Sequence, residues 1–414
     1  MRKIIFILTI GILLTLFKAP TLFAGEVDIL VDKLVEKGIL APDEAKEILD
    51  ETKKEVAREV AEGKSYALPK WIQNTKLKGD FRLRYQYDDK DKDSKSGRSR
   101  GRIRFRLGME SKINDQFMIA AGLATGGTDP RSTNQTFQDT FSTKGINLDY
   151  AYVQYSPWQG LKVFGGKMKR KPVLWEPTDL LWDGDINPEG IAIALSKDIG
   201  KGSLFMNSGF FVLDEEGSKS NEPWMAYFQP GMNWKLNESA SLKASVTGYL
   251  INTKGYDMDH SPDTNTLTGA NHKYDYNAIS PALELGIKEP FGGFVPYAAL
   301  FGEYVNAFDP SSENSGYALG FKFGDKKVKK NGQWQFKYIY RHLERDAWLD
   351  CLPDSDAYDG DTNVEGHEIE LKYGLAKNVT FGIDYYYMEP IKNLAGLNTD
   401  NNQQVLQVDL VLKF

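Results

Sequence analysis

Leu77-Lys78-Gly79-Asp80-Phe81-Arg82-Leu83-Arg84-Tyr85-Gln86-Tyr87 alternates small or apolar with polar side chains without a break, and Arg102-Ile103-Arg104-Phe105-Arg106-Leu107-Gly108-Met109 repeats the pattern soon after. Successive side chains of a β-strand point to opposite faces, so each stretch is a strand with one greasy face and one wet face. Gln333-Trp334-Gln335-Phe336-Lys337-Tyr338-Ile339-Tyr340-Arg341 and Val405-Leu406-Gln407-Val408-Asp409-Leu410-Val411-Leu412-Lys413-Phe414 carry the same signature. Working outward from these, period-two segments fall near 75–88, 101–113, 116–126, 146–156, 160–168, 189–198, 202–213 and 223–236. Eight more follow near 240–251, 276–288, 294–306, 315–325, 332–344, 363–374, 377–388 and 403–414. The connections alternate: long at 89–100, short at Asn114-Asp115, long at 127–145, short at Pro157-Trp158-Gln159, long at 169–188, short at Gly200-Lys201, and so on to the long 389–402.

A soluble β-sandwich has no reason to make every second connection long or to turn its aromatic faces one way. An antiparallel, up-and-down transmembrane β-barrel does both: short turns lie on the periplasmic side with the termini, long loops lie outside, and an apolar band meets lipid while a polar face lines the lumen. Closure pairs the strand edges that lipid cannot satisfy, and about sixteen strands leave a lumen wide enough for water. The fold class is therefore all-β, a barrel over residues 71–414.

Composition agrees. The 414 residues are 41% hydrophobic and 26% charged, with a mean hydropathy of −0.45, too polar for a bundle of membrane helices. One cysteine, Cys351, can staple nothing. The 51 Lys plus Arg against 57 Asp plus Glu lack the basic excess of a nucleic-acid binder.

The only long apolar run, Ile4 to Phe17, follows Arg2 and Lys3 and precedes the small residue Ala24, which reads as a secretory signal peptide over residues 1–24. Its removal takes away Arg2, Lys3 and Lys18 and no acid, changing the net charge from −6 to −9. Residues 26–62 contain no aromatic side chain and read as two helices within a helical segment spanning 25–70. Gly38 sits where the first would end, and Pro42 with Asp43 and Glu44 opens the second. Ala45, Ile48, Leu49, Thr52, Val56 and Val60 form one narrow stripe, too little core for an independent fold. Such a stripe suits a coiled coil between subunits or a solvated periplasmic tether.

The chain resembles the bacterial outer-membrane porins, most closely a porin family in which a signal peptide and short helical segment precede a sixteen-stranded barrel. The resemblance covers essentially the whole mature chain. Its carriers are LVDKLVEKGILAPDEAKEIL, Gly165-Gly166-Lys167-Met168-Lys169, Trp182-Asp183-Gly184-Asp185-Ile186-Asn187-Pro188-Glu189-Gly190, and the terminal strand ending in Phe414. It implies a bacterial outer-membrane location in contact with lipid and lipopolysaccharide, a homotrimer, and passive diffusion of ions and small solutes without a cofactor. A final aromatic resembles the signal read by the barrel assembly machinery; Phe414 equally suits one more lipid-facing side chain.

If Phe81, Leu83, Ile103, Phe105 and Leu107 face lipid, then Lys78, Arg82, Arg84, Arg102, Arg104 and Arg106 face the lumen as a basic wall. A first hairpin turning near 94–95 sets Arg82 opposite Arg106 and Arg84 opposite Arg104. Opposed like charges destabilise a sheet unless something compensates. Bound anions or water could do so; the sharper reading is the loop 169–188, which follows the fifth strand, the position from which general porins fold a loop inward. It carries Glu176, Asp179, Asp183 and Asp185 beside Trp175, Leu180, Leu181 and Trp182, more apolar residues than an external loop needs. These acids are its expected constriction residues, facing the arginines across the pore.

Asp183, Asp185 and Asn187 have the opening spacing of a calcium loop, but Pro188 replaces the required glycine. Asp354, Asp356, Asp359 and Asp361 read as a solvated acidic loop, with a divalent cation shared with lipopolysaccharide as the alternative. His260, His272, His342 and His367 show no ligand spacing or nucleophile signature, so neither a metal site nor an enzyme is expected. Thirteen lumen-phase cations against eleven acids, the loop included, imply a weak anion preference; a substrate-specific channel for phosphate or another anion is the alternative, and a barrel enzyme or adhesin a more distant one. On the fifth strand, either Lys167 and Lys169 or Phe164 and Met168 face the lumen.

Overall fold

The structure, a computed structural model, describes residues 31, 33–61, 70–90, 97–215, 217, 222–394 and 401–414. The expected signal peptide lies outside the described residues. The chain divides into a unit ending at Pro69 and a unit from Lys70 to Phe414.

In the first unit, helix α1 spans Pro42–Ala61. The Ala41 amide donates to the Glu44 carboxylate at 3.0 Å, satisfying one of the amides left open at the helix start. Gly38, at φ 68°, ends the preceding helical turn, a conformation that costs glycine little.

The second unit opens with a short helix, α2 (Lys70–Gln73). Sixteen long strands follow: β1 Thr75–Lys90, β2 Arg98–Lys112, β3 Phe117–Thr125, β4 Ile146–Tyr155, β5 Leu161–Lys167, β6 Glu189–Ile199, β7 Gly202–Val212 and β8 Trp224–Lys235. The rest are β9 Ala240–Asn252, β10 Ala278–Lys288, β11 Tyr297–Ala307, β12 Ser315–Gly324, β13 Trp334–Leu343, β14 Val364–Ala376, β15 Val379–Pro390 and β16 Gln403–Lys413. Each pairs antiparallel with its chain neighbour, and β1 pairs with β16 from Asp80↔Lys413 to Lys90↔Gln403, closing the barrel. Phe414 completes the seam: its backbone exchanges bonds of 2.9 and 3.0 Å with Gly79, and its ring stacks on Phe105 at 6.3 Å.

Alternation decides which side chains meet lipid. Phe81, Leu83, Ile119, Ile191, Phe228, Leu283, Leu300 and Leu371 all lie exposed on the outer face. Aromatic side chains collect towards both rims, Phe323, Trp334 and Phe336 near the short turns and Tyr317, Tyr340 and Tyr387 near the long loops, as headgroup-level girdles do.

The register corrects one expectation. Arg82 faces Arg104 and Arg84 faces Arg102, while Arg106 faces Asp80. The register lies two residues from the one that a turn at 94–95 sets. A shift of two keeps every side chain on its face but changes its partner.

Candidate permeation pathway

The interior is divided. Along β5 to β13 the inward side chains are largely apolar: Phe164, Phe211, Tyr227, Tyr249, Phe301 and Ile339 are all buried. They pack against residues of two long loops, Leu174, Leu180, Leu181 and Trp182 from 168–188 and Ala347, Trp348, Leu349 and Leu352 from 344–363. Beside β14, β15, β16, β1 and β2 lies a cavity of about 670 Å³ lined mainly by charged groups, the candidate passage.

The loop 168–188 enters because β5 stops at Lys167. Phe164 and Met168, 2% and 0% exposed, point inward. Lys167 pairs with Glu189 at 2.8 Å, and Lys169, past the strand end, lies 4.0 Å over the Tyr150 ring. On the strand itself the inward phase belongs to Phe164, with Met168 following it, while Lys169 beyond the strand end also turns inward, 3.8 Å from Glu110.

The loop 344–363 corrects a second expectation: it is not solvated. Asp354 and Asp361 are buried, as is Trp348, which packs on Trp182 and on Tyr249 with ring centroids 6.4 and 4.7 Å away. Trp348 Nε1 donates to the Leu181 carbonyl at 2.6 Å, the Asp183 amide to the Leu352 carbonyl at 2.7 Å, and the Ser355 amide to the Asp183 carboxylate at 2.9 Å. The segment Ala347-Trp348-Leu349-Asp350-Cys351-Leu352 was the available signal; it meets the same apolar criterion that singled out 169–188. A third loop, 253–277, is tied on through Asp350, which accepts from Ser261 Oγ and the amides of Thr264 and Asn265 at 2.8, 2.8 and 3.0 Å. No group of acids, histidines and cysteine among the described residues is arranged to hold a metal.

On the open side the arginines find their counter-charges first on the wall itself. Arg84 Nε and Nη2 donate to the two oxygens of Asp409 at 2.7 and 2.8 Å, and Arg82 lies 3.6 Å from the same carboxylate. Asp80 bridges Arg104 and Arg106, each at 2.8 Å. The loops add Asp185, 3.2 Å from Arg106, and Asp356, 3.4 Å from Arg84. Arg102 donates to Gln86 at 2.9 Å, and Lys78 pairs with Glu110.

The four loop acids thus divide. Asp185 meets the arginine wall, whereas Asp179 reaches the opposite side, 2.7 Å from Arg341 on β13. Glu176 pairs with Arg170 inside its own loop and receives Tyr249 Oη at 3.2 Å, away from the arginine wall. Asp183 sits between the two loops. Burial, with the neighbouring Asp185 charge, pushes its carboxyl up to about 8, so it is protonated at neutral pH. Burial and the charge of Asp179 likewise hold Asp354 well above the ordinary aspartate value. Asp356, absent from the expected set, takes up the facing role that Asp183 was expected to fill.

A closed sixteen-stranded barrel with loops folded inward and a charged passage left beside them defines a porin-type channel. The family described as "Putative porin" matches residues 89–285 and 265–414, and the chain belongs to it. Among solved structures, OprB of Pseudomonas putida is similar at 12% identity over 83% of this chain and 95% of that one, with a TM-score of 0.54. A mutant of Rhodopseudomonas blastica porin is similar at 13% identity over 82% of this chain and 100% of that one, with a TM-score of 0.45. No curated protein sequence matches.

Proposed function

We propose that the protein is an outer-membrane channel for passive diffusion of ions and small hydrophilic solutes, with a weak preference for anions and no catalytic role. The observation that carries the preference is the lining of the open passage, where ten Lys and Arg side chains meet eight Asp and Glu. Burial holds the Asp183 and Asp354 carboxyls above the ordinary aspartate range, which weakens the negative side of the lining. Charged walls set selectivity through the net field in the pore. In planar bilayers under a KCl gradient, the reversal potential should lie on the chloride side, and further so as salt is lowered and the screening length grows beyond about 8 Å. A reversal potential on the potassium side at neutral pH defeats the reading.

The proposal includes a homotrimer in contact with lipid and lipopolysaccharide, inserted by the assembly machinery through the terminal strand and Phe414, and residues 1–24 as a cleaved signal. The helical segment is proposed as a periplasmic tether or coiled coil outside the pore. Deleting residues 26–62 should therefore leave the conductance of each pore unchanged; a fall by roughly half would instead make the segment part of the lumen wall.

A further inference from the structure

The connection 325–333 between β12 and β13 is longer than its hairpin needs. Two residues close β6 to β7 and β14 to β15, whereas nine separate Gly324 from Trp334. Within them Lys326-Lys327-Val328-Lys329-Lys330 places four cations in five positions on the short-turn rim. Four neighbouring like charges repel and favour an extended, solvated turn, yet this one is tied down. The Lys329 and Lys330 amides donate to Gln333 Oε1 at 2.8 and 2.9 Å, and the Trp334 amide donates to Asp325 at 3.0 Å. The Asn378 amide donates to the Lys329 carbonyl at 2.9 Å and the Gly332 amide to the Gly374 carbonyl at 3.0 Å, drawing the turn onto the β14–β15 turn. The contact needs glycine at 374: a Cβ there would lie 1.9 Å from the Lys330 carbonyl oxygen.

So held, Lys326, Lys327 and Lys329 line the same passage as Lys372 and Lys413. Lys372 is paired with Glu370, and Lys326 lies 5.1 Å over the Tyr297 ring. Among the described residues, Lys327, Lys329 and Lys413 have no carboxylate partner. A second observation comes from the wall. Gln407 is fully buried on the passage lining, and neither its amide nitrogen nor its oxygen has a hydrogen-bond partner; Arg82 Nε is also without one. The ammonium groups gather cations at the short-turn end of the passage, and the unmatched guanidinium N–H and amide N–H lie further along the same lining.

We propose that the Lys326–Lys330 turn completes an anion-binding vestibule on the short-turn side of the arginine wall, selecting small multivalent oxyanions of the phosphate or polycarboxylate class over chloride. A multivalent oxyanion gains from several cations at once and from bidentate bonds to a guanidinium, where chloride gains from one cation at a time. The inference rests on the anion-preferring channel proposed above and names its solute class.

The full-length protein in planar bilayers, carrying chloride current, is titrated with inorganic phosphate from each face. Phosphate added from the short-turn face should reduce the current saturably and at lower concentration than from the other face. The double variant Lys327→Gln with Lys329→Gln should need about tenfold more phosphate for the same reduction, while Lys201→Gln on another short turn should leave the titration where it was. Retained heat-modifiable mobility in SDS shows that each variant folds. A block that is absent, equal from both faces, or unmoved in the double variant overturns the vestibule. If phosphate fails while the reversal potential in KCl stays on the chloride side, only the vestibule falls; a reversal potential on the potassium side removes the reading beneath it.

Discussion

Replacing Trp348 by alanine should raise the conductance of each pore roughly twofold or more, because it removes the pin that keeps two loops inside a barrel whose sixteen strands would otherwise enclose a wide lumen. Trp348 is fully buried, touches Trp182 and Tyr249, and its indole donates to the Leu181 carbonyl at 2.6 Å. Removing a large buried side chain of this kind costs about 3–5 kcal/mol, and the Leu181 carbonyl loses its partner as well. The barrel ladder does not depend on this packing, so the loss falls on the loops. The expected signature is a larger, noisier conductance with unchanged heat-modifiable mobility in SDS. Unchanged unit conductance, with the variant folded, would show that the loops stay inside without this packing.

Neutralising Arg82, Arg84, Arg104 and Arg106 together should carry the reversal potential in KCl from the chloride side to the potassium side. These four are among the ten cations of the passage lining, and their removal leaves six facing eight acids, of which Asp183 alone is discounted as protonated at neutral pH, with Asp80, Asp409, Asp185 and Asp356 deprived of their counter-ions. At about 4 Å and an effective dielectric constant near 20, each lost pair is an interaction of about 4 kcal/mol, large enough to reset the field of a narrow pore. Asp185→Asn should move selectivity the other way. Asp183→Asn should move it little at neutral pH, because burial already keeps that carboxyl protonated. The sign with pH follows from the raised value. As pH rises through about 8, Asp183 ionises, adds a negative charge to the lining and lowers the anion preference. Its raised value also means that the folded loops favour the protonated form, so their contact weakens as pH rises from the ordinary aspartate range towards about 8 and changes no further above it. An anion preference that climbs between pH 7 and 9 would contradict this assignment.

Much of the pathway was legible because a transmembrane strand cannot hide its periodicity. Where lipid lies on one side and water on the other, as on β1, β2 and β16, apolar and charged residues alternate cleanly, and Arg82, Arg84, Arg104 and Arg106 were assigned to the lumen from parity alone. Along β5 to β11 the alternation blurs. Phe164, Phe211, Tyr227 and Tyr249 point inward against loop residues while their neighbours point to lipid, so both faces are apolar. A pattern with no wet face carries no phase information, so sequence alone leaves both Lys167 and Phe164 as inward candidates.

Local order in this protein follows from the chain alone: the sixteen strands, the face of each side chain where one face is wet, the closing of the barrel by the last strand and the inward apolar loop 169–188 are all set by residues adjacent in sequence. Pairing and enclosure are not. Whether Arg106 meets Arg82 or Asp80 depends on a two-residue shift in hairpin register, which preserves every face and leaves no trace in the period. Which acids stay charged depends on what covers them: the Asp354 loop looks solvated by composition and becomes interior once Trp348 docks beneath Trp182. Long-range electrostatics and burial are properties of the closed barrel, so only the tertiary structure decided which charges pair and which acids are enclosed.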